Sequence, residues 1–279
     1  MDSVMVVPPL NCGRRIRCKS SDMLFLCLDI RLARGFGATD LRTLISAMLL
    51  STVKILAHLF YRFEPGWVGM PLNAMQWQQI RLVVVLNHTS LFEPLYAGAL
   101  PWRFVWALAK GATFPAADIT VNRPLLGKFF RFLAPSVVSI TRNRDGTWTE
   151  FLKTCSPDSV IMIAPEGRMK RPDGLDKNGQ PMTVRGGIAD ILAGMTWDGM
   201  ILFAYSGGLH HIHAPGQGFP RLFQTARINF EAVDLQEYRR LMGVPPEGAS
   251  NGDEPWRHFR KRVVSDLEQR RDQNCPPPP

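Results

Sequence analysis

Short apolar runs alternate with amphipathic segments from Trp67 to about Gly243, and this alternation constrains the fold more than any other feature of the chain. The runs expected to form strands are residues 81–86, 103–108, 137–141, 160–164, 200–205 and 226–230. The segments expected to form helices are residues 91–100, 125–133, 147–154 and 187–194. The pattern predicts a single α/β domain with a mixed or mostly parallel sheet flanked by helices. A chain of 279 residues is long enough to bury the core of such a domain.

Residues 41–63 are the segment best suited to a membrane surface. Apolar side chains recur there at helical spacing, whereas Arg42, Lys54, His58 and Arg62 lie mostly away from that stripe. This pattern predicts a helix in the bilayer interface, with cations that reach lipid headgroups. A surface helix packed on a protein core has the same periodicity and stays open as an alternative. No run of about 20 apolar residues is evident, so a membrane-spanning helix is not expected.

Composition divides the chain into three parts. Residues 1–63 are expected to be a basic, membrane-associating helical segment, residues 64–243 the α/β domain, and residues 244–279 a linker, a basic helix and a proline-rich tail with no reason to fold.

The formal net charge of +9 favours anionic partners. No nucleic-acid motif accompanies that charge, so a membrane surface with anionic lipids is expected and nucleic acid is not. Five scattered cysteines predict free thiols in a reducing compartment, which fits the cytoplasmic face of a membrane.

The predicted strand 81–86 is followed by a histidine and then by a carboxylate. His88 lies where the strand ends, and Glu93 follows five residues later. A histidine can take the proton of an attacking hydroxyl, and a carboxylate on its other ring nitrogen would fix the tautomer and stabilise the imidazolium. Two structural alternatives stay open. His88 could be a structural residue, and Ser90 with Glu93 matches a capping box, with Ser90 as N-cap and Glu93 as N3.

Two further strands end on charged residues. The strand 160–164 leads into Pro165-Glu166-Gly167-Arg168, with Lys170 and Arg171 close behind, and the strand 137–141 ends on Arg142. Glycine permits a close backbone approach, and guanidinium groups suit phosphate oxygens. The alternative for the first of these segments is a solvated basic loop.

Taken together and in this order, these segments resemble the HxxxxD glycerolipid acyltransferases, a superfamily that includes the 1-acylglycerol-3-phosphate acyltransferases. Asn87-His88 with Glu93 is similar to the block that supplies the base and its carboxylate. The strand ending on Arg142 resembles the second block, and residues 164–168 resemble the block that binds the acceptor phosphate. Val184-Arg185-Gly186-Gly187 resembles the basic stretch that follows, and residues 200–205 the fourth block. The resemblance covers about residues 60 to 230.

The resemblance implies an O-acyltransferase that uses acyl-CoA or acyl carrier protein as donor and a lysolipid as acceptor, 1-acylglycerol-3-phosphate or a related lysophospholipid. Such a protein would be peripheral or monotopic on a membrane, and it needs no cofactor or metal. The implied catalytic residues are His88 and Glu93. The implied substrate-binding residues are Asn87, Arg142, Glu166, Gly167 and Arg168.

Three departures from the family pattern bear on the acceptor and the mechanism. Glutamate replaces aspartate at Glu93, so the carboxylate has one more methylene. The third block lacks its threonine, which leaves the family arginine's role open among Arg168, Lys170 and Arg171. The fourth block lacks its usual proline and continues into residues 206–213.

Three other interpretations of the sequence compete with this one. Ser206 lies in Ala204-Tyr205-Ser206-Gly207-Gly208, which approximates the nucleophile elbow of a serine-type lipid hydrolase, although the glycines and prolines that follow disfavour the helix this motif needs. His210, His211 and His213 suggest a metal site but lack supporting carboxylates. The third is a non-catalytic membrane-binding protein on an acyltransferase scaffold.

Overall fold

The computed structural model describes residues 41–141, 146–176, 178–214, 217–246, 249 and 252–279. Within these residues the strands are β1 (Arg62–Trp67), β2 (Ile80–Leu86), β3 (Ala112–Ala117), β4 (Ser136–Ile140), β5 (Val160–Ile163), β6 (Met200–Ser206) and β7 (Thr225–Asp234). The α-helices are α1 (Leu41–Phe60), α2 (Trp102–Gly111), α3 (Asp118–Val121), α4 (Leu126–Leu133), α5 (Thr147–Thr154), α6 (Gly187–Gly194), α7 (Leu235–Met242) and α8 (Glu254–Asn274). The 3₁₀ helices Gln76–Gln79 and Glu93–Ala99 flank β2.

The strands form one sheet in the order β1-β7-β6-β2-β5-β3-β4. Neighbouring strands are parallel except β6 and β7, which pair antiparallel. Strands β2 to β6 therefore all finish at one end of the sheet, where β7 and β1 begin. We call this the carboxyl end of the sheet. The expected α/β fold with a mostly parallel sheet is confirmed.

Strand β2 lies at the centre of the sheet and is covered on both faces. Val83 packs into a core with α1, α2 and the 3₁₀ helix Glu93–Ala99, whereas Leu82 and Val84 pack into a second core with α5, α6, α7 and α8. A strand buried on both faces has no polar alternation, which explains the continuous apolar run.

The expectation of a strand at residues 103–108 is wrong, because this segment lies within α2. Phe104, Val105, Leu108 and Ala109 are buried on one helix face. A short apolar run is compatible with both a buried strand and a buried helix turn, and periodicity alone cannot separate the two. The strand at this point is β3, which follows α2 directly and carries Pro115, a residue that weakens a strand signal.

Helix α1 packs one face on the domain and exposes the other. Ala47, Leu50 and Ala57 are buried, while Met48 and Leu59 are 70% and 65% exposed. By length and composition alone, with a mean hydropathy of 1.7, α1 is apolar enough to cross a membrane, although the sequence predicted no membrane-spanning helix. Its packed face makes it part of the first core.

Lys54 corrects the expectation that the cations of this segment reach lipid headgroups. It is only 3% exposed, and its Nζ donates to the carbonyls of Ala97 (3.2 Å), Gly98 (3.0 Å) and Leu100 (2.6 Å). These carbonyls close the 3₁₀ helix that begins at Glu93. Lys54 is therefore a buried residue that caps this helix, through the bonds that cations near a helix C-terminus form with its last carbonyls.

The C-terminal residues pack on the domain. Helix α8 buries Phe259, Val263 and Leu267 in the second core. The proline-rich tail, expected to have no reason to fold, has no helix or strand but lies against β7, where Arg227 Nη1 donates to the carbonyls of Pro277 (3.5 Å) and Pro278 (3.3 Å).

Candidate active site

The turn after β2 brings His88 to the carboxyl end of the sheet. Asn87 adopts a left-handed conformation (φ 63°), which asparagine tolerates better than most residues. Its side-chain amide donates to the carbonyl of Ser206, at the end of β6 (2.8 Å). The carbonyl of His88 accepts the N–H of Lys170 (2.7 Å). Asn87 is thus tied into the site as a turn residue, and His88 is held between two strand ends.

Glu166 supports this turn from the end of β5. Its carboxylate is buried, with 2% of the residue exposed. Oε1 accepts the N–H of Asn87 (3.2 Å), and Oε2 accepts the N–H of His88 (2.8 Å). The family resemblance implies substrate binding for Glu166. Since both oxygens contact protein groups, the geometry favours a supporting role, and the substrate role stays a prediction.

Arg271 of α8 completes the support. Its Nη1 lies 3.3 Å from Glu166 Oε1 and donates to the carbonyl of Met182 (3.0 Å). Burial raises the pKa of Glu166, and the hydrogen bond from the His88 N–H and the charge of Arg271 offset part of that rise. Arg271 therefore compensates a carboxylate that would otherwise be costly to bury.

His88 and Glu93 form a close pair. His88 Nδ1 lies 2.7 Å from Glu93 Oε2, and the two side chains are 19% and 14% exposed. Glu93 Oε1 accepts the N–H of Thr89 (3.0 Å). The capping box is not formed: Glu93 begins the 3₁₀ helix, no side chain caps the N-terminus of that helix, and Ser90 Oγ accepts the N–H of Phe92 instead (3.2 Å). The structure thus brings together the two residues expected to be catalytic.

The surroundings of His88 act on its pKa in opposite directions. Burial lowers the pKa, because the charged imidazolium loses solvation, whereas the carboxylates of Glu93 and Glu166 raise it. The carboxylates outweigh burial, and the pKa of His88 is raised above its ordinary value. A neighbouring carboxylate that stabilises the imidazolium suits a general base whose charge develops during the reaction.

The basic segment after β5 is divided between internal and exposed cations. Arg168 forms an ion pair with Asp176, whose side chain is 3% exposed. Lys170 is half-buried, and Arg171 and Arg185 are exposed. Arg142 lies outside the described residues. The role of Arg168 as a headgroup ligand stays a prediction. Because Arg168 is paired with Asp176, the exposed cations Arg171 and Arg185 are the more accessible candidates for binding a phosphate.

Gly167 allows a close approach between this segment and Arg185. Its φ is +63°, and a Cβ at this position would lie 3.1 Å from Arg185 Cδ. The N–H of Arg185 donates to the carbonyl of Pro165 (2.8 Å). The Arg185 side chain therefore lies against Gly167, within the segment 164–168 that resembles the phosphate-binding block. In the sequence, Arg185 is marked only by the stretch Val184-Arg185-Gly186-Gly187.

Two residues that support the site were not predicted from the sequence: Arg271, which pairs with Glu166, and Lys54, which caps the 3₁₀ helix that begins with Glu93. Arg271 is 105 residues from Glu166 in sequence, and no local pattern signals that contact. Lys54 does carry a signal: it lies four residues after Leu50 and three before Ala57, which places it on the buried stripe of α1. A cation on such a stripe must find acceptors inside the protein.

The structure does not support the competing chemistries. Ser206 is fully buried, its Oγ lies 2.8 Å from Tyr96 Oη and accepts the N–H of Gly208 (3.0 Å), and no helix begins after it in residues 207–214. It is a poor nucleophile elbow. His210, His211 and His213 each place Nε2 within 2.7–2.9 Å of a backbone carbonyl, and the described residues contain no group of three or more metal-ligating side chains.

Part of the chain is similar to proteins of a known family. Residues 73–203 match the family model described as Acyltransferase. The chain is similar to the crystal structure of the 1-acyl-sn-glycerophosphate (LPA) acyltransferase PlsC from Thermotoga maritima, with 18% sequence identity, coverage of 89% of this chain and 94% of that chain, and a TM-score of 0.45. None of the curated proteins matches the chain.

Proposed function

Since residues 73–203 match the family model described as Acyltransferase, we propose that this protein transfers a fatty acyl group from an acyl thioester to a hydroxyl of a lysolipid. The observation that carries the proposal is the 2.7 Å contact between His88 Nδ1 and Glu93 Oε2 at the carboxyl end of the sheet. This contact leaves Nε2 of His88 as the nitrogen that takes the acceptor proton.

The proposed reaction is a direct transfer. His88 Nε2 removes the hydroxyl proton as the acceptor oxygen attacks the thioester carbonyl, and Glu93 stabilises the imidazolium that forms. The tetrahedral intermediate then collapses, the C–S bond breaks, and the thiolate leaving group recovers the proton from His88. The products are an ester and a free thiol, of coenzyme A or of acyl carrier protein.

The proposed acceptor is 1-acylglycerol-3-phosphate or a related lysophospholipid. Lys170 and Arg171 lie on the segment that contacts the His88 carbonyl, and the side chain of Arg185 lies beside Gly167 of that segment. Guanidinium groups bind phosphate oxygens with paired hydrogen bonds. Arg168 and Arg142 complete the proposed headgroup site, as the family resemblance implies.

The proposed location is the cytoplasmic face of a membrane, as a peripheral or monotopic protein. The exposed face of α1 carries large apolar side chains, among them Leu41, Met48 and Leu59. An amphipathic helix of this kind binds the boundary between headgroups and acyl chains. The free Cys155 and Cys275 fit a reducing compartment.

The test is mass spectrometry of lipids after incubation with acyl-CoA or acyl carrier protein and a panel of lysolipids. Wild-type protein should yield a diacyl product, and His88→Ala should lower its rate by about 10²–10⁴-fold while remaining folded. His258→Ala, at an exposed site on α8, is the matched control and should leave the rate unchanged. Near-normal turnover by folded His88→Ala, or release of fatty acid without a diacyl product, would contradict the proposal.

A further inference from the structure

Residues 219–223, between β6 and β7, expose three large apolar side chains. Phe219, Leu222 and Phe223 are 86%, 44% and 71% exposed. We call these residues the aromatic loop. Single exposed apolar residues are ordinary on protein surfaces, but three within five residues, two of them phenylalanine, form a patch that requires an explanation.

Phe223 of the aromatic loop is exposed although its backbone conformation is unfavourable. Phe223 has φ 60°, a left-handed conformation that is rare for a bulky side chain. Its N–H donates to the carbonyl of Phe60, at the end of α1 (2.8 Å), and the two rings make an edge contact at 6.0 Å between centroids. The strained residue is thus fixed against the C-terminus of α1 while most of its ring stays in solvent.

This arrangement makes the aromatic loop continuous with the exposed face of α1. Leu59, beside Phe60, is 65% exposed. The N–H of Arg62 donates to the carbonyl of Gln224 (3.0 Å), and β1 and β7 then begin together, with Arg62 opposite Thr225. The end of α1 and the aromatic loop therefore form one apolar surface at the carboxyl end of the sheet.

The same surface adjoins the candidate active site. The segment leading into the aromatic loop is bonded to the turn that carries His88: the N–H of Leu209 donates to Thr89 Oγ1 (2.9 Å), and Ser90 Oγ donates to the carbonyl of His213 (3.3 Å). The N–H of Arg221 in turn donates to the carbonyl of Ile212 (2.8 Å).

The charges around the patch match an anionic lipid surface. Arg62 and Arg221 are both exposed beside the apolar side chains. Aromatic rings with neighbouring cations are typical of surfaces that bind a bilayer. The rings enter the boundary between headgroups and acyl chains, and the cations contact anionic headgroups. A protein partner would not require cations at this rim, whereas an anionic bilayer gains from them.

We propose that the aromatic loop is a second membrane contact, which inserts Phe219 and Phe223 into the interface of an anionic bilayer beside α1. A contact surface that extends from α1 over the aromatic loop fixes the orientation of the domain, so that the carboxyl end of the sheet with His88 faces the bilayer. The inference rests on the proposed membrane location and deepens it, because it states which end of the molecule meets the lipid.

The test measures co-sedimentation of the full chain with phosphatidylcholine vesicles, with and without phosphatidylglycerol. The test variant is Phe219→Ser combined with Phe223→Asn, since asparagine tolerates the left-handed backbone. It should bind anionic vesicles about tenfold more weakly than wild type. Met70→Ser is the matched control: Met70 is 87% exposed but follows β1 at the opposite end of the sheet, and its loss should leave vesicle binding unchanged.

A conservative variant and a second readout keep the outcomes distinct. Phe219→Trp should retain wild-type binding, because tryptophan favours the interface. Turnover of a short-chain lysolipid below its micellar concentration should be unchanged in all these variants. Equal vesicle binding by wild type and the double variant would overturn the loop contact alone. Absence of transfer by wild type with every acceptor would instead overturn the proposed activity and leave the vesicle result standing.

Discussion

At the scale of single residues, the electrostatics of His88 determine the pH range in which it can work. A base must be neutral to accept a proton, and Glu93 and Glu166 raise the pKa of His88 despite its burial. The raised pKa makes His88 a stronger base but keeps it protonated up to a higher pH than an ordinary histidine, whose pKa is about 6.5. We therefore expect the acid limb of kcat/KM to lie above that value.

Glu93→Gln separates the charge of this carboxylate from its hydrogen bonding. Glutamine can still accept the N–H of Thr89, so the melting temperature should stay within a degree or two of wild type. Activity should fall by at least about 10²-fold, as for a triad carboxylate replaced by its amide. The acid limb of the residual activity should move to lower pH, because a cause of the raised His88 pKa is gone. A fully active enzyme with an unshifted pH profile would remove Glu93 from the mechanism.

Arg185 and Arg168 should differ when each is replaced by glutamine. Arg185 is exposed over Gly167, so Arg185→Gln should leave stability unchanged and raise KM for a phosphorylated acceptor about 10–100-fold, the effect of losing hydrogen bonds to a charged group. Arg168→Gln leaves Asp176 buried without this ion pair and should lower the melting temperature. Thermal unfolding and acceptor KM, with the donor KM as internal control, distinguish the two. An unchanged acceptor KM in Arg185→Gln would contradict this assignment.

At the scale of elements, α8 reaches the active site although it lies at the far end of the sequence. Its hydrophobic face anchors it in the second core, and its last turn delivers Arg271 to Glu166. Glu166 in turn accepts the backbone N–H groups of Asn87 and His88. Helix α8 therefore stabilises the position of His88 without contacting the ring.

Arg271→Gln tests this support. Removing one partner of a buried pair costs roughly 3–5 kcal/mol when the other charge is left uncompensated, and Arg271 is 15% exposed, so the loss of stability should reach at most that range. The double variant Arg271→Gln/Glu166→Gln should be more stable than Arg271→Gln alone, because no buried charge then lacks its partner. Lys261→Gln, exposed on the same helix, is the control. Additive effects in chemical denaturation would show that the two side chains are not coupled.

At the scale of the whole molecule, membrane binding should combine an apolar and an electrostatic part. Because α1 buries one face in the first core, its deletion would damage the fold, and substitutions on its exposed face are the sounder test. Binding to anionic vesicles should weaken but persist between about 0.1 and 1 M salt, since screening removes only the electrostatic part. Leu59→Ser should reduce the salt-resistant part, and Met75→Ser, exposed beyond the end of β1, should not. Complete release of wild type by salt would contradict an apolar contact.

The sequence by itself determined the local features of this protein. The bounds of α5 and α6 matched their helical pattern, and β2, β5 and β6 matched their apolar runs. These elements were predictable because hydrophobic periodicity is a property of the residues within one element. The order of motifs along alternating strands and helices was sufficient to predict the α/β fold and the approach of His88 to Glu93, five residues apart.

Only the tertiary structure decided which charged groups face each other across long sequence separations. It buried Lys54 against the 3₁₀ helix, placed Glu166 beneath the turn at His88, and brought Arg271 to Glu166 from 105 residues away. The same packing assigned residues 103–108 to a helix. The physical reason is that burial and pairing depend on the neighbours that the sheet order supplies, whereas a charged side chain looks the same in sequence whether it reaches solvent, lipid or a buried partner.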